Sequence, residues 1–229
     1  MICNFHDFCR ELRISGFSMG GGNAKGVFAL IPFDWTNQNG MDTPVRWHSG
    51  DPEIDPWEWR MRVLEETDDI AYAKLFFKTS GFITREWYPA LYAVRRGSES
   101  FEEAYDRGTI SHMAKRIYDV IASGETALHE IKACGGFGKE SKAQFDRALV
   151  ELQTRMFVTM CGRKQKRNMY GVEYGWNSTV LTTVESFWEE RGFSIPTLDA
   201  QENYDRIRNQ ILTLNPSAEE KTIRKFIVG

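Results

Sequence analysis

Apolar residues recur most regularly between Ser111 and Val184. Counted from Met113, the residues Ile117, Val120 and Ile121 follow at four, seven and eight positions, which is one face of a helix, and Gly124 ends it. Thr126 to Cys134 predicts a short second helix with Leu128 and Ile131 inward, and Gly135, Gly136 and Gly138 then break the chain. A third helix, Lys139 to Arg155, gathers Phe145, Ala148, Leu149 and Leu152 on one face and leaves Lys139, Lys142, Gln144, Arg147, Gln153 and Arg155 largely off it. Met156 to Cys161 (MFVTMC) and Thr179 to Val184 (TVLTTV) carry the β-branched and bulky residues of strands. The segment between them, GRKQKRNMYGVEYGWNS, is punctuated by glycine and predicts a basic connection. Three helices and then a hairpin with a cationic tip is the order of a winged helix-turn-helix, whose third helix enters the major groove.

The same pattern organises the flanks. Asp55 to Gly97 is dense in aromatic residues and predicts a helix from Pro56 to Glu66, a hairpin (Ala73 to Lys78, Gly81 to Thr84) and a helix from Arg85 to Val94. Before it, SMGGGNAKGVFALIPFDW reads as a flexible turn ahead of a buried segment, and Gly40 to Pro56 as a loop punctuated by proline and glycine. Gly97 to Gly108 predicts an acidic linker with a short helix. Glu185 to Gly192 continues past the wing to a proline turn at Pro196. Amphipathic helices from Asp199 to Leu214, with Tyr204, Ile207, Ile211 and Leu212 on one side, and from Ala218 to Ile227 close the chain, packed on the winged helix or on a second subunit. The expected class is α+β and mainly helical. It divides into an aromatic-rich α/β region at 1–108, which admits a second winged-helix-like unit, a winged-helix domain at 109–192 and C-terminal helices at 193–229.

Composition adds little until it is resolved along the chain. At 229 residues, 41% hydrophobic and 13% aromatic, the sequence is that of a folded protein with a sizeable core. No apolar run approaches the ~18 residues of a membrane span, and the N-terminus, with acidic residues and no long apolar core, does not read as a signal peptide, so no membrane partner and a cytoplasmic protein are expected, nucleoid-associated if it binds DNA. The net charge of −3 gives no hint of a polyanionic partner. It hides an asymmetry, because Ser111 to Gly175 holds 11 basic against 7 acidic residues while the remainder holds 18 against 25. Lys139 to Arg167 alone carries 8 basic and 3 acidic residues, a plausible phosphate footprint.

Other candidate chemistry is thinner. Cys3, His6 and Cys9 space three borderline ligands, but a tetrahedral site wants a fourth, so the cysteines are read as structural and neither metal nor cofactor is expected. Lys25 in the glycine run is followed by Gly26 and not by the Ser or Thr of a phosphate loop. The aromatic residues between Trp57 and Tyr92 could stack on exposed bases, and read better as core. Asp55, Glu58, Arg60 and His112 are the ionisable residues that could work beside them, each with a bland alternative as a cap or a solvated face.

The stretch DPWEWRMRVLEETDDIAYAKLFFKTSGFITREWYPALYAVRRG, followed by SHMAKRIYDVIASGE, QFDRALVELQTRMFVTMCGRKQK and YGWNSTVLTTVESF, resembles the bacterial AlkZ-related proteins, relatives of the AlkZ/YcaQ winged-helix DNA glycosylases. The resemblance runs from about Asp55 to Trp188 and implies tandem winged helices and a DNA-facing surface. It also implies, for the glycosylase branch, a catalytic glutamine followed across one apolar residue by aspartate or glutamine. The chain is read as lacking that pair, with Gln144 counted among the DNA contacts. The first expectation is therefore a non-catalytic DNA-binding protein, a regulator or repair-associated, in which Lys139, Lys142, Gln144, Arg147 and Arg155 meet the groove while Arg163, Lys164, Lys166 and Arg167 grip phosphates from the wing. A regulator of this kind admits a homodimer on two half-sites. Two alternatives stay open, a glycosylase-like enzyme using Asp55 or Glu58 and a winged-helix protein-interaction module.

Overall fold

Asn4 starts the first element of the computed structural model, which describes residues 1–21, 23–31 and 43–229. Its side chain accepts from the Asp7 N–H, and α1 (Phe5–Ser15) follows with Phe5, Phe8, Cys9 and Leu12 buried at helical spacing. Gly16 ends it at φ 86, where a Cβ would run into the Trp87 indole, so only glycine fits. After β1 (Phe17–Met19) comes α2 (Pro56–Glu66), with Asp55 as its cap and Pro56 in the first turn. The hairpin β2 (Ile70–Phe76) and β3 (Thr79–Thr84) is joined by Phe77 and Lys78, both left-handed at φ 50 and 61. A two-residue turn of that conformation matches the twist of the strands it joins. The antiparallel order is β1-β3-β2, and α3 (Tyr88–Arg95) follows.

Next, Ser100 and Glu103 form a capping box on α4 (Phe101–Asp106). Then come α5 (His112–Ile121), β4 (Thr126–Ala127), α6 (Leu128–Cys134), a 3-10 turn at Lys139–Ser141 and α7 (Lys142–Thr154). The long strands β5 (Val158–Arg167) and β6 (Glu173–Thr183) lead into α8 (Val184–Glu189), and the antiparallel order of this sheet is β4-β6-β5. Its core holds Phe145, Ala148 and Leu152 of α7 with Ile117 and Ile121 of α5 and Phe157. The last elements are α9 (Ala200–Leu214), capped by Asp199, and α10 (Glu220–Val228).

The chain is α+β, divided into two units, Met1–Gly97 with Pro196–Gly229, and Ser98–Ile195. These bounds differ from the expected 1–108, 109–192 and 193–229 for two physical reasons. Gly97 to Gly108 is no linker, because Phe101 is buried and stacks on Tyr118 with centroids 3.7 Å apart; its acidic neighbours hide this in the sequence. The C-terminal helices form no separate layer and do not join the α5–α7 bundle. Phe226 stacks on Phe76 at 4.0 Å, and Gln210 Nε2 donates to Ser15 O at 2.9 Å. Arg95, half-buried, donates to the carbonyls of Leu75, Phe226 and Ile227 at 2.6, 2.6 and 2.8 Å, while desolvation pulls its guanidinium down to about 9. Two further expectations change locally. Thr126 and Ala127 are strand, not helix, and Gln153 is fully buried, its Nε2 donating to Leu149 O at 3.0 Å.

Candidate nucleic-acid interface

The basic residues of the Ser98–Ile195 unit sit on two elements. On α7 and the turn before it, Phe145, Ala148, Leu149 and Leu152 face the core, which turns Lys139, Lys142, Gln144 and Arg147 to solvent. Lys142 pairs with Asp146 one turn on, at 3.0 Å. Glu151 faces the other way, accepting from Ser111 N and Oγ at 3.0 and 2.7 Å and so tying α7 to the start of α5.

Strands β5 and β6 are longer than the hydrophobic pattern indicates. GRKQKRNMYGVEYGWNS is mostly ladder, with Lys164 opposite Ser178 and Arg167 opposite Glu173. Only the lower half of each strand is buried, so the upper half lacks the apolar alternation by which a strand is recognised. Asn168 fastens the tip, its Oδ1 accepting from Tyr170 N at 2.9 Å and Val172 N at 3.0 Å, and Gly171 completes the turn at φ 77. Between Lys166, opposite Tyr174, and Lys164 the ladder shifts register and pushes out Trp176 beside Gly175, also left-handed at φ 76. Trp176 is 95% exposed, Met169 88% and Tyr170 81%, with Val172 and Tyr174 exposed beside them. The sequence reading missed this cluster. Its signal was present as MYGVEYGW, obscured by the surrounding charge and glycine.

Lys164, Lys166 and Arg167 line a groove of about 540 Å³ closed on its far side by His129, Glu130 and Ala133 of α6. Lys164 Nζ lies 2.7 Å from Glu130 Oε1, and this contact, with the Ala127 N–H, holds the Glu130 carboxyl below its usual range. Arg167 pairs with Glu173 at 2.9 Å. Such exposed pairs are weak, on the order of 0–1 kcal/mol, so a phosphate can take the cation over.

The remaining candidates separate. Half-buried Arg155 is committed internally, to the Thr109 carbonyl and to Glu99 Oε2 at 3.3 Å, which removes it from the groove-facing set. Arg163 stands opposite Thr179 where the hairpin leaves the core. Asp55 is a buried cap whose carboxylate accepts from His48 N, Trp57 N and Gly50 N at 2.9, 2.8 and 2.9 Å. Three backbone N–H groups thus hold the Asp55 carboxylate in the place of a helix cap. Glu58, half-buried, lies in the first turn of α2. His112 opens α5 in the other unit, 3.3 Å from the Tyr105 hydroxyl.

The expected lack of a glutamine–apolar–aspartate pattern does not hold, since Gln144, Phe145 and Asp146 are that pattern. On α7 the two polar members project about 200° apart around the axis, both into solvent, with Phe145 buried between them. That spacing does not converge the pair on one reacting atom.

Among the described residues no group of three His, Cys, Asp or Glu could hold a metal ion, and no helix is long and apolar enough to cross a membrane. Cys9 is buried in α1, its thiol pushed up to about 11 by burial, while His6 faces solvent.

A family model described as "AlkZ related" matches residues 2–228. Among solved structures, the Streptomyces sahachiroi DNA glycosylase AlkZ superposes with a TM-score of 0.40 at 12% identity, over 75% of this chain. The chain spans about half the length of that structure, covering 50% of it. No curated protein matches.

Proposed function

The chain belongs to the AlkZ-related family, and from that premise we propose that it binds DNA through its Ser98–Ile195 unit, acting as a winged helix-turn-helix. In this reading α5, α6 and α7 are the three helices, α7 lies in the major groove with Lys139, Lys142, Gln144 and Arg147 outward, and β5–β6 is the wing. One observation carries the proposal. The hairpin leaves Met169, Tyr170, Val172, Tyr174 and Trp176 exposed on the same ribbon that carries Lys164, Lys166 and Arg167. Bulky apolar side chains on a stiff cationic ribbon suit a duplex, because the cations neutralise phosphates while the tip inserts against base steps or stacks on them. A protein-interaction module needs no such cations.

A second reading, a glycosylase-like enzyme, is favoured by Gln144, Phe145 and Asp146, and opposed by the divergence of the two polar side chains on α7.

Fluorescence anisotropy with a plain duplex, a duplex carrying an alkylated base and a single strand, across a salt series, tests the proposal. Salt-sensitive binding to both duplexes is expected. Lys164→Ala with Lys166→Ala and Arg167→Ala should lower the slope of log K against log salt by about 0.9 per lost phosphate contact. An unchanged slope takes the wing out of the interface. Preference for the alkylated duplex, with base excision abolished by Gln144→Ala or Asp146→Asn, would move the conclusion to the enzyme. No binding at low salt would leave the protein-interaction module.

A further inference from the structure

A second concavity lies wholly within the unit formed by Met1–Gly97 and Pro196–Gly229. Its volume is about 350 Å³, at the lower end of the range for small-ligand sites. Trp47, His48, Trp57 and Tyr72 supply aromatic surface. The His48 and Trp57 rings stand 5.0 Å apart at 51°. Arg60 Nε donates to Trp57 O at 2.7 Å, which lays the guanidinium over the indole at 3.3 Å and fixes the ring. Trp57 is nevertheless 45% exposed, an apolar ring held at the pocket mouth.

The wall is built at some cost. His48 is left-handed at φ 58, a conformation that persists only where the surroundings impose it, and here Asp55 imposes it through the His48 and Trp57 N–H groups. Lys25, on the other loop, is left-handed at φ 47, with its N–H donating to Asn23 Oδ1 at 2.6 Å. At Gly20 a Cβ would strike the Ser80 carbonyl, and at Gly21 the Trp47 indole, so both positions must be bare for the loop to pass. Lys25 and Arg60 bring two cations to the lining, and no carboxylate stands with them among the described residues. Flat aromatic walls with donors and positive charge select a ligand that is both planar and anionic.

We propose that this pocket is a nucleotide site, taking a base ring against Trp57 and His48 and a phosphate at Lys25 and Arg60. The nucleotide is either free or part of a single strand, and the chemistry recognised is the same. The proposal does not rest on the DNA-binding reading, since the wing and the pocket belong to different units.

The full chain is titrated with AMP, GMP, CMP and UMP, read by calorimetry and tryptophan fluorescence. Saturable binding of at least one is expected, with its nucleoside alone and inorganic phosphate alone each about tenfold or more weaker. Trp57→Ala and Arg60→Gln should each weaken it by about tenfold or more, with an unchanged urea midpoint, because neither side chain is in the core. The Lys164, Lys166 and Arg167 triple variant should bind the nucleotide normally while losing duplex affinity, which separates failure of this proposal from failure of the other. No saturable binding of any of these ligands, or affinity untouched by Trp57→Ala and Arg60→Gln, overturns it. A short single strand that displaces the mononucleotide, and itself fails to bind Trp57→Ala, assigns the strand as source. A strand that displaces nothing assigns the free nucleotide.

Discussion

In the unit formed by Met1–Gly97 and Pro196–Gly229 a helix, an edge strand, a helix and a hairpin follow one another, and the edge strand pairs with the hairpin's second strand. The Ser98–Ile195 unit runs through the same succession with more helices, and its sheet has the same order, β4-β6-β5 against β1-β3-β2. What differs is where each hairpin stops. Strands β2 and β3 have 7 and 6 residues, turn at once through Phe77 and Lys78, and are buried for most of their length. Strands β5 and β6 have 10 and 11 residues and leave the core half way. An aromatic residue on the first hairpin is therefore structural, and one on the tip of the second has nothing of its own unit to pack against. The difference teaches that one arrangement of strands is core or tool according to how far it outruns its helices.

The sharpest way to break this comparison is to remove one aromatic residue from each hairpin. Phe76→Ala should cost about 3–5 kcal/mol in urea unfolding, since its ring lies buried against Phe226. Trp176→Ala should stay within about 0.5 kcal/mol of the parent, as an exposed position does. A large destabilisation by Trp176→Ala would show that the tip is a packing surface after all. In duplex binding the order inverts. Tyr170→Ala and Trp176→Ala should each weaken the complex by about 1–3 kcal/mol if the rings stack on bases.

How far each hairpin was legible follows the same division. Helix α2 is recovered end to end because Asp55, Pro56 and an apolar periodicity agree, and α5, α7 and α9 fall within a few residues of expectation for the same reason. The exposed half of β5–β6 was unreadable as strand, since solvent on both faces removes the period of two on which recognition depends. Asp55 was legible as a cap, and the loop geometry that brings His48 and Gly50 to its oxygens beside Trp57 was not. The commitment of Arg155 to Glu99 and the docking of Phe226 on Phe76 join residues far apart in sequence, where local pattern carries no information.

A smaller effect separates the units by their ion pairs. Arg13 holds Asp69 through two contacts of 2.7 and 2.9 Å and keeps its carboxyl below the usual range, whereas Glu130 is held by the more exposed Lys164. A carboxyl lowered by folding contributes stability that is fully present above its unfolded value, near pH 4, and is lost as pH falls through the folded value beneath it. Asp69→Asn should thus lose about 0.5–1 kcal/mol at pH 7, with the gap to the parent closing below about pH 4. Glu130→Gln should show a smaller gap with the same sign. Equal gaps would mean that the wing is held as firmly as the sheet.

The smallest expected effect concerns the two turns themselves. Lys78 is exposed and left-handed at φ 61, a conformation that disfavours a side chain and suits glycine. Lys78→Gly should raise stability by up to about 1 kcal/mol in urea and leave DNA affinity alone, because this turn only has to close a buried hairpin. At the wing tip the assignment is reversed, with Gly171 already placed at φ 77 between the two N–H groups that Asn168 accepts. Gly171→Ala should cost little in global unfolding, since the tip is outside the core, and should weaken duplex binding by loosening the turn that aims Tyr170. If Gly171→Ala instead shifts the unfolding midpoint as far as Lys78→Gly does, with opposite sign and no loss of DNA affinity, both turns serve folding alone and the functional contrast between the hairpins fails.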